Sequence, residues 1–209
     1  MTLQKLGWVL AAGIAGAMFA AGFQVKAEKV GVVDIQYVFQ NSDLTHNKQD
    51  ELKNMGQARS DILQFVHTYR TIKPDQADRF KALSLKGILT PAETTELQKL
   101  KADVVAQDQS YKALQTKANP TQEEVTRLQT TSTQVQNMAG TEQLWAQQFD
   151  QDIRDRQDKL RQEVLGKVQD SVEEIGKKQG FSLVFVKDVA PYAANDLTAD
   201  VLKVMNAKK

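Results

Sequence analysis

The sequence predicts an α+β fold, mostly α: a small β-body made by strands near the two ends of the chain, with a long α-helical coiled-coil hairpin running out between them. Three observations predict it. Thr121 to Gln179 is a run of 59 residues without proline, bracketed by helix start and stop signals. As a single helix it would extend roughly 88 Å at about 1.5 Å per residue, so an elongated molecule is expected. Val30-Gly31-Val32-Val33-Asp34 and Phe181 to Val186 are short, β-branched and apolar on both faces, as buried strands are. Between them the apolar residues recur in steps of three and four, the helical period.

The elements follow in order. Lys5 and the Ala- and Gly-rich apolar run Leu6 to Phe23, closed by Val25-Lys26-Ala27, read as an export signal over residues 1–27, with cleavage before Glu28. An uncleaved anchor is the rival reading, since the run reaches the lower edge of a membrane span. After the first strand, Ile35, Val38 and Phe39 continue as a short turn of helix, and Asn41-Ser42-Asp43 supplies capping residues. From about Leu44 to Ile72 a helix carries the seam Leu52, Met55, Arg59, Ile62, Val66, Tyr69, interrupted by the charge on Arg59. Lys73-Pro74 ends it. Asp75 to Leu85 is a short helical piece, and Lys86-Gly87-Ile88-Leu89 a break.

Thr90-Pro91-Ala92-Glu93 starts a further helix with a capping box and an N-terminal proline, and Thr121-x-x-Glu124 repeats the box after Asn119-Pro120. Lys177-Lys178-Gln179-Gly180 closes the long helix, with cations in its last turn and a glycine able to take the left-handed angle. Helix lengths suggest two helices in series along the long one: 92–117 against 121–146 and 44–72 against about 150–178, with 74–91 bulging at the joint. The long helix bears a stripe, Phe149, Ile153, Leu160, Val164, Val168, Val172 and Ile175, near an 11-residue repeat. It thins before Trp145, where a weakly packed, mobile end is expected. Beyond Gly180 come the strand Phe181 to Val186, a turn at Lys187-Asp188, and a short third strand Val189 to Tyr192, placed at an edge by Pro191. Thr198 is expected to cap a last helix burying Val201, Leu202 and Met205.

Composition excludes several functions. The chain has no cysteine, which removes disulfides, thiolate metal sites and a lipidated cysteine. Without Lys5 and Lys26, the 27 basic residues fall to 25 against 26 acidic ones, a formal net charge of −1. Nucleic acid as a main partner would need a basic patch. His46 and His67 lack metal-ligand spacing and read as surface residues. Glu123-Glu124, Glu173-Glu174 and the run Asp150-x-Asp152-x-x-Asp155-x-x-Asp158 alternate with Arg154, Arg156, Lys159 and Arg161 as a solvated, ion-paired helix face. No phosphate loop, nucleophile or acid–base cluster stands out, so neither an enzyme nor a cofactor is expected.

The terminal strands raise a size problem. Residues 28–42 and 180–209 make a body near the limit of about 40 residues below which domains seldom stand without disulfides, metal or association. A homo-oligomer that pools these strands is therefore expected, through Val30, Val32, Ile35, Phe39, Leu183, Phe185, Val189 and Tyr192.

At this point the chain resembles the Skp/OmpH family of periplasmic chaperones. The matching segments are Lys29-Val-Gly-Val-Val-Asp34 with Val38-Phe39-Gln40 at one end. At the other are Gly180-Phe-Ser-Leu-Val-Phe-Val186, Val189-Ala-Pro-Tyr192 and Asp196-Leu-Thr-Ala-Asp-Val-Leu-Lys203. The resemblance implies a closing hairpin and helix, a homotrimer with helical arms around a cavity, and an ATP-independent holdase for unfolded outer-membrane proteins in the periplasm. It also implies transient contact with membrane surfaces. This chain departs from strongly basic members by its near-neutral charge, and it carries extra sequence around 74–120. The arm is expected over 43–179, with the extra segment near 74–91.

Within the arm, Phe65, Tyr69, Phe80, Leu85, Ile88, Leu89, Trp145 and Phe149 invite two readings: a hinge cluster that buries itself, or residues that touch client. A structural coiled-coil spacer or adaptor of the cell envelope is the alternative function.

Overall fold

The computed structural model describes residues 29–192 and 194–207, and the expected export signal lies outside them. The described residues form two compact units, one from 29–41 and 167–207, the other Ser42–Gly166. The elements are β1 (Val30–Val33), α1 (Ile35–Asn41), α2 (Asp43–Thr68), α3 (Pro74–Ser84), α4 (Pro91–Gln115), α5 (Gln122–Gln179), β2 (Leu183–Val186) and α6 (Thr198–Ala207). Among the described residues no helix is long and apolar enough to cross a membrane.

In the first unit β1 and β2 pair in parallel, Val30 opposite Leu183 and Val33 opposite Val186. Parallel strands need a long crossover, and here the whole helical region supplies it. The other edge of β1 takes Asp196 in a parallel bridge opposite Val32. The Val32 N–H donates to the Asn195 carbonyl at 2.8 Å, and the Leu197 N–H to the Val32 carbonyl at 2.8 Å. This corrects the expected strand at Val189 to Tyr192 and the expected closing hairpin. After β2 the chain turns, with the Val189 N–H on the Val186 carbonyl at 2.9 Å, and Pro191 lacks the N–H a ladder needs. A tight hairpin could only have returned antiparallel; the chain instead crosses to the far edge of β1.

Gly31 is closely packed there: a Cβ would stand 3.0 Å from Leu197 Cδ1 and 3.1 Å from Phe181 Cδ1, so any larger residue would make those side chains shift. α1 packs against α6, and Val32, Val33, Val38, Leu197, Val201 and Met205 are buried in this unit with Val168 and Ile175 of α5. α5 ends in a Schellman cap: Gly180 has φ of 72°, the Gly180 N–H meets the Lys177 carbonyl at 3.3 Å, and the Phe181 N–H meets the Gly176 carbonyl at 2.9 Å. Lys29 Nζ donates to the Gln179 carbonyl at 3.1 Å, placing a cation at the negative end of the helix.

In the second unit both expected capping boxes form. The Thr90 N–H donates to Glu93 and the Glu93 N–H to Thr90 Oγ1 (2.9 and 3.3 Å); Thr121 and Glu124 repeat the exchange at 2.8 and 3.3 Å. The Lys86 ammonium and the Thr90 backbone together hold the Glu93 carboxyl down to about 2. α4 and α5 form an antiparallel hairpin closed by Lys117 and Glu124 at 2.7 Å.

α2 also runs antiparallel to α5, but not in the expected register. Equal lengths put Arg59 opposite residue 163 and Lys48 opposite residue 174. The ion pairs are Arg59–Asp152 at 3.2 Å and Lys48–Glu163 at 3.3 Å, a shift of about three helical turns. The last turns of α5 belong to the sheet unit, where Val168 and Ile175 are buried, so α2 must pair further back. Consequently α2 overlaps α4 instead of ending where it begins, and α3 does not bulge out. Four helices meet in one cluster: Ile62, Val66, Ile72, Ala77, Phe80, Val104, Met138, Trp145 and Phe149.

Candidate interaction surfaces

The sheet unit exposes a set of large apolar side chains. Alternation along β2 puts Leu183 and Phe185 on one face, 49% and 39% exposed, and the turn beyond adds Val189 at 73% and Tyr192 at 99%. Of the other expected hub residues, Val30, Ile35 and Phe39 are half-buried and Val32 is buried within the single chain. Among the described residues β2 has only β1 as a strand neighbour, so its outer edge carries open N–H and C=O groups. Beside it lies an apolar groove of about 320 Å³ lined by Val33, Ile35, Val168, Val172 and Phe181. A soluble chain seldom leaves such a combination uncovered.

Asp196 holds the second edge of this sheet. It corrects the expectation that Thr198 caps the last helix. The Asp196 carboxylate accepts the Thr198 N–H at 3.0 Å, while Thr198 Oγ1 accepts the Asp34 N–H at 2.9 Å and ties the helix start to β1. Hydrogen bonds from the Thr198 hydroxyl and N–H, then from the Lys187 ammonium at 3.0 Å, hold the Asp196 carboxyl down from 3.8 to about 2. A depressed carboxylate stabilises the fold fully above its unfolded value, about 3.9, and loses that contribution as pH falls through the folded value. Asp196→Asn keeps the cap shape without the charge. The parent should therefore lose more stability than the variant between pH 4 and 2, roughly, a difference that denaturant melts of both chains across that range would show.

The helical unit gathers the aromatic residues. Phe65 lies 4.4 Å from Phe80 and 5.0 Å from Tyr69 between ring centroids, and Trp145 lies 6.5 Å from Phe149. Phe80, Trp145 and Phe149 are buried, with Phe65 and Tyr69 packed at the margin. Leu89 is half-buried, while Leu85 is exposed and Ile88 is 86% exposed, so the loop after α3 does not join the cluster.

The sequence did not signal the cations that roof these rings. Lys81 stands 4.1 Å over Trp145, Arg59 5.5 Å over Phe149 and Lys101 5.7 Å over Phe80. Each comes from another helix, so no local spacing could reveal it; each contributes on the order of 1 kcal/mol. Arg59, which breaks the apolar seam, thereby lies over an aromatic face and pairs with Asp152. His67 and Arg70 both meet Glu142, at 2.8 and 2.9 Å, tying the end of α2 to α5. The acidic run of α5 is partly solvated, as in Arg154–Asp150, and partly spent on α2 through Asp152, while the interspersed Arg156 pairs with Glu51 of α2. No group of three His, Asp or Glu side chains converges as a metal set among the described residues.

Terminal strands closed around a helical crossover, with contact chemistry on an open sheet edge and along helix faces, define the class: a helix-dominated α+β protein with a small parallel sheet. The profile of the family described as outer membrane protein (OmpH-like) matches residues 87–205, more than half of the sequence, and the chain belongs to that family. It is similar to the chaperone protein Skp of Pectobacterium atrosepticum, 28% identical over 94% of this chain and 96% of the relative. Skp of Yersinia enterocolitica is 27% identical over the same shares, and Skp of Photorhabdus luminescens 26% identical over 96% and 98%.

Proposed function

We propose that the protein is a periplasmic holdase chaperone, working without ATP or cofactor, that keeps unfolded outer-membrane proteins from aggregating. The observation that carries this reading is the likeness to curated Skp chaperones along 94–96% of the chain. The uncovered face of β2 supports its oligomeric part: three copies joined through Leu183, Phe185, Val189 and Tyr192, with the helical regions bounding a cavity for client. Residues 28–42 and 180–209 would form the shared body, 43–179 the arm and 74–91 its extra segment, after removal of residues 1–27 as the export signal. In the cavity, many weak contacts act together and serve varied clients.

The test is refolding by dilution. An unfolded β-barrel membrane protein should stay in solution at near-stoichiometric ratio of chaperone, with no nucleotide present. Unchanged aggregation would instead favour a structural spacer of the envelope.

A further inference from the structure

The helical unit contains two cavities that share one residue. The first, about 570 Å³, lies between α4 and α5 where α2 has ended, and is lined by Gln107, Ser110, Tyr111, Arg127, Thr131 and Gln134 among others. The second, about 470 Å³, also takes in Gln134 and runs along Pro74, Thr130, Thr133, Asn137, Met138 and Thr141. Gln134 itself donates to the Thr71 carbonyl and so fixes the connector between α2 and α3 beside both cavities.

The lining mixes hydrogen-bonding and apolar groups in both cavities. Among the described residues no hydrogen bond engages the side chains of Gln107, Ser110 or Thr131. The hydroxyls of Thr130, Thr133 and Thr141 spend their proton on carbonyls one turn back, at 3.0, 3.1 and 3.4 Å, and keep lone pairs free to accept. Thr71, which lines the first cavity, is 3% exposed, and its hydroxyl has no hydrogen-bond partner. A buried polar atom left unpaired costs about 1–3 kcal/mol.

We infer that these paired cavities form a track for the backbone of an extended, unfolded polypeptide. An unfolded chain presents alternating donors and acceptors without regard to sequence, and the track offers both kinds. Its length agrees: residues 127–141 of α5 cover about 21 Å, room for about six extended residues. Tyr111, Leu114 and Met138 add apolar places for passing side chains. Amide and hydroxyl groups thus read what all clients share, which suits a chain whose near-neutral charge gives little electrostatic attraction. The inference rests on the holdase reading and says where along the helical unit the client backbone is engaged.

Photo-crosslinking in the full chain tests it. A photoreactive phenylalanine replaces Ser110 or Asn137, with Gln109, an α4 neighbour outside the cavity lining, as control. Each protein is mixed with a denaturant-diluted β-barrel polypeptide, with and without a chitin oligosaccharide. Crosslinks at Ser110 and Asn137, absent at Gln109 and unaffected by sugar, are expected. The combined change Gln107→Leu with Thr131→Val should weaken client retention about tenfold, the loss of one to two hydrogen bonds. If client stays soluble but crosslinks at none of the three positions, or at Gln109 equally, the track is overturned and the holdase reading stands. Displacement by the oligosaccharide would make the cavity a saccharide site and overturn the track as well. If the parent chain fails to keep client soluble, both readings fall.

Discussion

Phe185→Asp together with Tyr192→Asp is expected to reduce the protein to a monomer and to unfold the sheet unit, while most of the helical signal persists. Tyr192 is 99% exposed in the single chain, so its carboxylate would not be buried by one copy's own fold, whereas Phe185, at 39%, is partly covered. Were the surface idle, Tyr192→Asp would be near-silent, within about 0.5 kcal/mol, and Phe185→Asp would cost only the packing of its covered part. In a shared hub they remove aromatic anchors of the kind that dominate interfaces, about 2 kcal/mol or more each. They also place unpaired charges where water is excluded, at several kcal/mol more. Tyr192 makes the decisive contrast, because a fully solvated side chain has no fold of its own copy to support. Sedimentation and melting at several concentrations read the result. A parent chain that is monomeric at working concentration, with a melting temperature independent of dilution, would end the oligomer argument.

The parts of the fold that were legible in the sequence are those governed by local chemistry. Thr90 with Glu93, Thr121 with Glu124, and Gly180 after two lysines each act within one helical turn, and each sits where the spacing put it. The strands β1 and β2 were legible from β-branched runs. What failed depended on partners distant in sequence. The stripe from Phe149 to Ile175 looks continuous, yet it is divided at Gly166 between two units, and that division sets the register of α2. The bridge on the far edge of β1 falls on the polar Asn195-Asp196 pair, because β1 needed hydrogen bonds there more than it needed apolar residues. Apolarity alone likewise could not separate Phe80, which packs from α3 into the cluster, from Ile88, which follows the Lys86-Gly87 break and stays in water.

That last contrast yields the second large effect. Trp145→Ala is expected to destabilise the helical unit by about 3–5 kcal/mol, the usual cost of emptying an aromatic site in a core. In a chain of this size that lowers Tm on the order of 10 °C. Trp145 is 3% exposed in a cluster with Phe80, Met138 and Phe149, and it carries Lys81 on its face. Its removal leaves a void that four helices would have to close together, and strands the Lys81 stem. A buried ring cannot touch client, so well below the new Tm the capacity to hold an unfolded β-barrel protein should remain as in the parent. Ile88→Asp should do the reverse. At 86% exposure it supports no packing, so Tm should stay within a degree or so, while client retention falls if this loop lies among the contacts. Aggregation assays at low temperature, run beside thermal melts, separate the two. Loss of holding in Trp145→Ala with the melt unchanged would mean that the cluster opens to client, and that its hinge-like burial is not its resting role.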